Sequence, residues 1–281
     1  MSTRIRALPL GARSWIAIGL ATLIGLGAFF WPFLAQPGSS AVAHSSDAPW
    51  IFAAVLPLVL LVVVAQISDG GMDAKALALL GVLAAVIAIL RPLGAGMAGI
   101  EPIWVVLILG ARVFGPGFGF SLGALSLLAS GLLTGGVGPW LPFQMLAAAW
   151  VGLGAGLLPP LRGRAEIALL AGYGFLAGLG YGLLLNLWFW PFLADGTQIA
   201  FVPGGPIGEN LVRWFAFTVS TSLAFDIPRA VLTAALIAIL GAPVLLALRR
   251  VARRAAFDAP VTFESPPAPT MPAADATRIS D

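Results

Sequence analysis

Apolar residues run unbroken along most of this chain. Long apolar stretches occupy residues 15–35, 49–67, 74–91, 117–133, 141–158 and 167–193, with a shorter one at 102–114. A last run starts between Trp214 and Phe225 and reaches Leu248. A helix rises about 1.5 Å per residue and a bilayer core is about 30 Å thick, so most of these runs can cross it. The pattern predicts about eight membrane helices in an all-α polytopic bundle.

The breaks between runs set the organisation. The first loop, 36–48, carries His44, expected to be a solvated loop residue. Ala41-Val42-Ala43 has the small-residue form of a signal-peptidase site, but the preceding run is longer than a signal core, which favours retention. The acidic, glycine-rich link SDGGMD, 68–73, marks the best boundary: residues 1–73 form a hairpin extension and 74–254 a compact core. The fourth and fifth runs meet at the tight turn Phe114-Gly115-Pro116-Gly117. The fourth is short for a span, so its end lies inside the protein or is extended by the loop before it. The sequence predicts a polar loop over 194–213 and, after the terminal arginines, a disordered tail over 255–281 rich in Pro, Ala, Asp and Thr.

The stretch GGVGPWLPFQ, 135–144, stands out between two apolar runs. It combines turn residues with one aromatic, Trp140, and one amide, Gln144. Two readings are open for Trp140. It is an interfacial anchor, as tryptophans at membrane surfaces often are, or it stacks on a ligand.

Charge gives the direction. With the N-terminus in the cytoplasm and the helices alternating, Arg4, Arg6, Arg13, Lys75, Arg112, Arg162, Arg164 and the four terminal arginines fall inside. Arg91, Arg213 and Arg229 fall outside. This asymmetry supports eight spans with both termini cytoplasmic. It places GGVGPWLPFQ on the outer face, with Glu101, Trp188, Trp190, Glu209 and Asp226.

Composition excludes several chemistries. The chain has 281 residues, 59% hydrophobic and 10% charged, and no cysteine. Disulfides, thiolate metal sites and thiol catalysis are therefore absent. His44 is the one histidine, so no multi-histidine metal site is possible. Lys75 is the one lysine, and it does not follow a glycine-rich turn, so the chain carries no P-loop of its own. The serines at membrane depth have no histidine to activate them, and an enzymatic reading is weak.

The outer helix ends gather the polar and aromatic candidates: Glu101, Trp104, Trp140, Gln144, Asn186, Trp188, Trp190, Asp226 and Arg229. Asp226 and Arg229 share a helical face and can pair, as an internal bridge or as a substrate anchor. Trp188 and Trp190 point to different sides of a helix, so at most one lines a pocket and the other is expected to anchor at the interface. Asn186 lies within an apolar run and needs a partner, from another helix or a ligand. On the third run, Ala74 and Ala78, and Gly81 and Ala85, lie four apart, a spacing that lets helices approach closely in lipid.

From Ala74 to Arg254 the chain resembles the substrate-binding S component of energy-coupling factor (ECF) transporters, and most closely the members for cobalamin-type substrates. The resemblance lies in the order of the alanine-rich helix at 74–91, the segment GARVFGPGFGFSLGALSLLASGLLTGG, the loop GPWLPFQM, the stretch GYGFLAGLGYGLLLNLWFW, and a last helix opening at FDIPRA and closing on arginines. It implies a six-helix core in a prokaryotic cell membrane that binds a vitamin at its outer face and has no catalytic activity. A separate scaffold subunit and two ATPases would supply the energy. Ala74, Ala78, Gly81 and Ala85 match the positions that dock the scaffold. The family's outer loops cover the substrate, which favours a binding role for Trp140 and Gln144. The hairpin at 1–73 departs from the six-helix pattern, and its position in sequence allows it to shield the docking face. The alternative function is an ion-coupled secondary transporter using Glu101 or Asp226, although no internal repeat of the kind such proteins often show is visible.

Overall fold

The computed structural model describes residues 10–34, 48–69, 72–94, 99–192 and 197–255. His44, the Ala41-Val42-Ala43 site and the tail beyond residue 255 lie outside the described residues. Nine helices form among the described residues: α1 (Ala12–Leu34), α2 (Ala48–Ser68), α3 (Ala74–Leu90), α4 (Ile103–Phe114), α5 (Pro116–Thr134), α6 (Leu141–Leu157), α7 (Gly163–Phe189), α8 (Ile207–Thr221) and α9 (Leu223–Ala255). Short 3-10 turns extend α3 over Arg91–Gly94 and α7 over Trp190–Phe192.

The molecule is an all-α polytopic membrane bundle. Five helices are long and apolar enough to cross a bilayer: Ala12–Leu34, Ala74–Gly94, Pro116–Thr134, Gly163–Phe192 and Leu223–Arg253. Three shorter apolar helices alternate with them, Leu56–Gln66, Ile103–Phe114 and Leu141–Leu157. Each of the eight apolar runs thus becomes one helix. The departure is α8, which forms where a polar loop over 194–213 is expected. The last span is therefore separate from the Trp214 region and starts at Leu223. The helices part at Ser222, whose φ of −115° breaks the run.

Local chemistry explains the boundaries. The Asp73 side chain accepts from the Ala76 backbone N–H at 2.8 Å and caps α3. Gly115 sits at φ 99°, a region that residues with a Cβ avoid. Pro116 then opens α5 at a position where its missing N–H costs nothing. The hinge lets α4 and α5 turn back on each other with no intervening loop. As a result α4 has 12 residues, about 18 Å of rise, and is buried everywhere except Val106 and Arg112.

Helix α4 is the centre of the bundle, packed on α5, α6, α7 and α9. α5 lies on α6 and α3, and α7 lies on α9. The α7–α9 seam is made by Gly174, Gly178 and Gly182, spaced four apart. A Cβ on Gly178 would stand 2.8 Å from the Ala230 Cα, and one on Gly182 would meet the Asp226 carboxylate. Such spacing brings two backbones together in the absence of a hydrophobic drive between helices in lipid.

The hairpin α1–α2 packs on α5, α6 and α7. Phe29 of α1 is fully buried against Phe143 and Trp150, and Trp150 Nε1 donates to Thr22 Oγ1 at 3.1 Å. Helix α3 buries Ala76, Leu80, Leu83, Ala84, Ile87 and Ala88 and turns Ala74, Ala78, Gly81 and Ala85 outward. These four residues are exposed, so the hairpin does not shield them.

Candidate functional site

Two groups of charged side chains stand at opposite ends of the bundle. One surrounds Glu101, just before α4. The other surrounds Glu166, at the start of α7.

At the Glu101 end, Arg229 of α9 is the hub. Its Nε donates to Glu101 Oε2 at 3.0 Å and its Nη2 to Glu101 Oε1 at 3.3 Å. Its Nη1 donates to Asp226 Oδ1 at 2.6 Å and to the Gly178 carbonyl at 3.5 Å. The second Asp226 oxygen accepts from Ser222 Oγ at 2.7 Å. Trp104 Nε1 donates to Glu101 Oε2 at 2.8 Å. The Trp104 ring meets Tyr181 edge-on with centroids 4.4 Å apart, and the Arg229 guanidinium lies 5.4 Å from the Tyr181 ring centre. Bidentate pairing of this kind uses the guanidinium fork in full. Gly178 lies eleven residues before the end of α7, so the hub is recessed by about 16 Å from that end.

Beside the hub, Arg91 Nη2 donates to Gln144 Oε1 at 2.7 Å and ties α3 to the start of α6. Phe143 packs on Trp188 with centroids 5.4 Å apart, and Trp188 also meets Phe192. The Trp188 indole N–H is buried and finds no hydrogen-bond partner among the described residues. Asn186 Nδ2 donates to Thr218 Oγ1 of α8 at 3.2 Å, which gives the amide its required partner.

The structure sorts the predicted site residues into two sets. Trp140, Gln144 and Glu101 present accessible surface. Trp140 is 42% exposed, with its Nε1 donating to the Gly136 carbonyl at 3.2 Å, and the Glu101 side chain is 27% exposed. Trp104, Asn186, Trp188, Asp226 and Arg229 are buried. Asp226 and Arg229 do pair, three residues apart, across Pro228. One expectation needs correcting. Neither Trp188 nor Trp190 is an interfacial anchor, because both are buried; Trp190 is packed on Phe33 and Phe201 and donates Nε1 to the Ile199 carbonyl at 2.7 Å. The 3-10 turn Trp190–Phe192 that ends α7 carries its ring under the following loop.

Tyr181, Ser222, Arg91 and Thr218 belong to this site and are not anticipated from the sequence. Two signals were present: Arg91 is one of three cations assigned to that end, and Tyr181 is one of the two tyrosines in the chain. The others emerge from packing alone.

At the Glu166 end the stoichiometry is reversed. Glu166 Oε1 accepts from Arg112 Nε at 2.8 Å and from Arg249 Nη2 at 2.6 Å. Arg112 also donates to the Leu158 and Pro159 carbonyls at 2.9 and 3.0 Å, which closes the C-terminus of α6. Among the described residues no group of three or more His, Cys, Asp or Glu gathers that could hold a metal ion.

No curated protein and no solved structure matches the chain. A family model described as ECF transporter, substrate-specific component, matches residues 75–241, more than half of the sequence and every residue of the Glu101 group. The chain belongs to the substrate-specific components of ECF transporters.

Proposed function

We propose that this chain is the substrate-capture subunit of an ATP-driven importer in a prokaryotic cell membrane, and that it binds a vitamin or related cofactor, cobalamin-like, at the Glu101 end. That end faces outward and both termini are cytoplasmic, as the arginine distribution supports. The observation that carries the reading is the family match over 75–241, which spans the whole Glu101 group.

The residues divide the work. Trp140 offers a face for stacking. Gln144 and the accessible edge of Glu101 offer polar contacts. The buried residues hold these in place: Arg229 fixes both Glu101 oxygens, Asp226 fixes Arg229, and Trp104 adds a second donor to Glu101 Oε2. Asn186 and Trp188 back the same surface, and the buried Trp188 N–H has no partner among the described residues. Pre-set donors and acceptors reduce the ordering cost of binding. The exposed Ala74, Ala78, Gly81 and Ala85 on α3 are the docking face for a scaffold subunit, which carries two ATPases. Release requires that the docked state bind the ligand less tightly than the free state.

Ion coupling through Glu101 or Asp226 is not favoured. Both carboxylates are already engaged by Arg229, and Asp226 also by Ser222. A coupling site needs a carboxylate free to exchange its cation.

Native mass spectrometry on the detergent-purified chain, offered a vitamin panel including cobalamin, tests the reading. One ligand should be retained, and Trp140→Ala or Gln144→Ala should weaken its retention. A well-folded chain that retains none of the panel would overturn capture at this end.

A further inference from the structure

Helix α8 is too short to span and is not buried as a core helix would be. Its residues fall into three sectors around the axis. Ile207, Leu211, Val212, Phe215 and Val219 form one, and all five are exposed. Glu209 and Ser220, also exposed, form a second, together with the partly exposed Arg213. Asn210 and Phe217 are buried in the third, with Trp214 half-buried beside them. That third face is pinned to the protein. Asn210 accepts from the Val202 N–H at 3.1 Å and donates to the Val202 carbonyl at 2.8 Å, and Phe217 packs on Phe189 of α7.

One face on protein, one apolar face and one polar face are what a helix needs at a boundary between hydrocarbon and water. The surroundings select the lipid as occupant of the apolar face. α8 is joined at both ends to spanning helices. Phe189, which touches Phe217, is itself exposed on α7, and Phe225 and Ile227 are exposed where α9 begins. Exposed apolar residues thus stand on both spanning helices next to α8 in the chain.

We propose that α8 lies in the membrane–water interface at the Glu101 end with Ile207, Leu211, Phe215 and Val219 seated in lipid. The bilayer then anchors the helix that presents Thr218 to Asn186 and whose C-terminal cap, Ser222, holds Asp226. The inference rests on the membrane fold and not on the identity of any ligand.

The absence of cysteine makes the test clean. Phe215→Cys and Glu209→Cys are made singly in the full chain, labelled with an environment-sensitive nitrobenzoxadiazole probe, and reconstituted in phosphatidylcholine vesicles. Nitroxide lipids labelled near the headgroup should quench the 215 probe roughly twofold more than those labelled near the chain end, as expected for a helix seated about 5–10 Å deep. Aqueous iodide should quench the 209 probe and spare the 215 probe. Equal iodide quenching at both positions would overturn the proposal and leave the apolar sector as a surface for a protein partner. Stronger quenching at 215 from the chain-end label would overturn it in favour of deep insertion. Leu211→Cys reads the same sector, so a misfolded Phe215 variant still leaves the question decidable.

Discussion

The two charged groups invert one another. At the Glu101 end one arginine holds two carboxylates; at the Glu166 end one carboxylate holds two arginines. The triad Glu101–Asp226–Arg229 carries a formal net charge of −1 and the triad Glu166–Arg112–Arg249 one of +1, which follows the positive-inside asymmetry of the whole chain. They also differ in what faces water. Glu166 is 2% exposed and both of its partners are arginines, one of them also bonded to backbone carbonyls. Glu101 has its hydrogen bonds on one side and accessible surface on the other. The Glu166 group closes the ends of α4, α6, α7 and α9 upon one another. The Glu101 group is fixed from behind and open in front, as a recognition surface must be.

Removing each hub separates these roles. Arg229→Gln leaves Asp226 and Glu101 facing each other in a recessed site with no cation between them. Breaking a buried pair in this way costs about 3–5 kcal/mol, so a large fall in thermal stability in detergent is expected. Asp226→Asn in the same background should recover part of it, because one unpaired carboxylate disappears. A variant that melts like the wild type would show that the Glu101 group is not held by Arg229. Glu166→Gln should cost less, about 2–3 kcal/mol, near the values for losing charged hydrogen bonds. Arg112 keeps its two carbonyl acceptors, and the Arg249 side chain, 38% exposed, can turn to water. If the two variants prove equally damaging, the distinction between an open and a closed group fails. Smaller again is Gly178→Ala. Its methyl would press on Ala230 of α9, and overpacking of this kind costs roughly 1–3 kcal/mol. Because Gly178 also accepts from Arg229, the same change should weaken ligand retention, which thermal melting and native mass spectrometry read separately.

How far the sequence leads differs between fold and site. The apolar runs locate every spanning or near-spanning helix, because lipid allows few alternatives to a helix at those lengths. They miss α8, whose apolar residues recur every four positions among glycine, glutamate and asparagine and so lower the average of any long window. At the site, the Asp226–Arg229 spacing is local and readable as a pair. The Glu101–Arg229 contact joins residues 128 apart and depends on how α4 and α9 pack, which no spacing encodes. The same limit explains Arg112, Glu166 and Arg249. Arg112 and the terminal arginines read from sequence as topology signals only, and the carboxylate that binds them becomes visible when α7 is laid beside α4 and α9. That Trp188 and Trp190 are both buried is not readable from helical spacing, because a 3-10 turn begins at Trp190 after an otherwise regular helix.

A fourth carboxylate sharpens the contrast with the smallest expected effect. Asp69, just after α2, lies at the Glu166 end but is paired differently. Its Oδ2 accepts from both the Ser14 backbone N–H and the Ser14 hydroxyl at 2.7 Å, at the start of α1. These side-chain and backbone hydrogen bonds hold its carboxyl below the ordinary value of 3.8, with a lesser contribution from Arg13. A depressed folded-state pKa adds stability that is complete above the unfolded value and disappears as pH falls through the folded one. Melting curves of the wild type and Asp69→Asn should therefore differ by a constant small amount from neutral pH down to about pH 5, and converge as pH falls below 3.8. The pairs at Glu166 and Glu101 lie within the bundle, whereas Asp69 lies at its surface, where the anion is already well solvated and the gap stays small. A gap that instead widens on acidification would mean that protonated Asp69 grips α1 better than the carboxylate, and the two helices of the hairpin would then be joined by something other than an anion at the start of a helix.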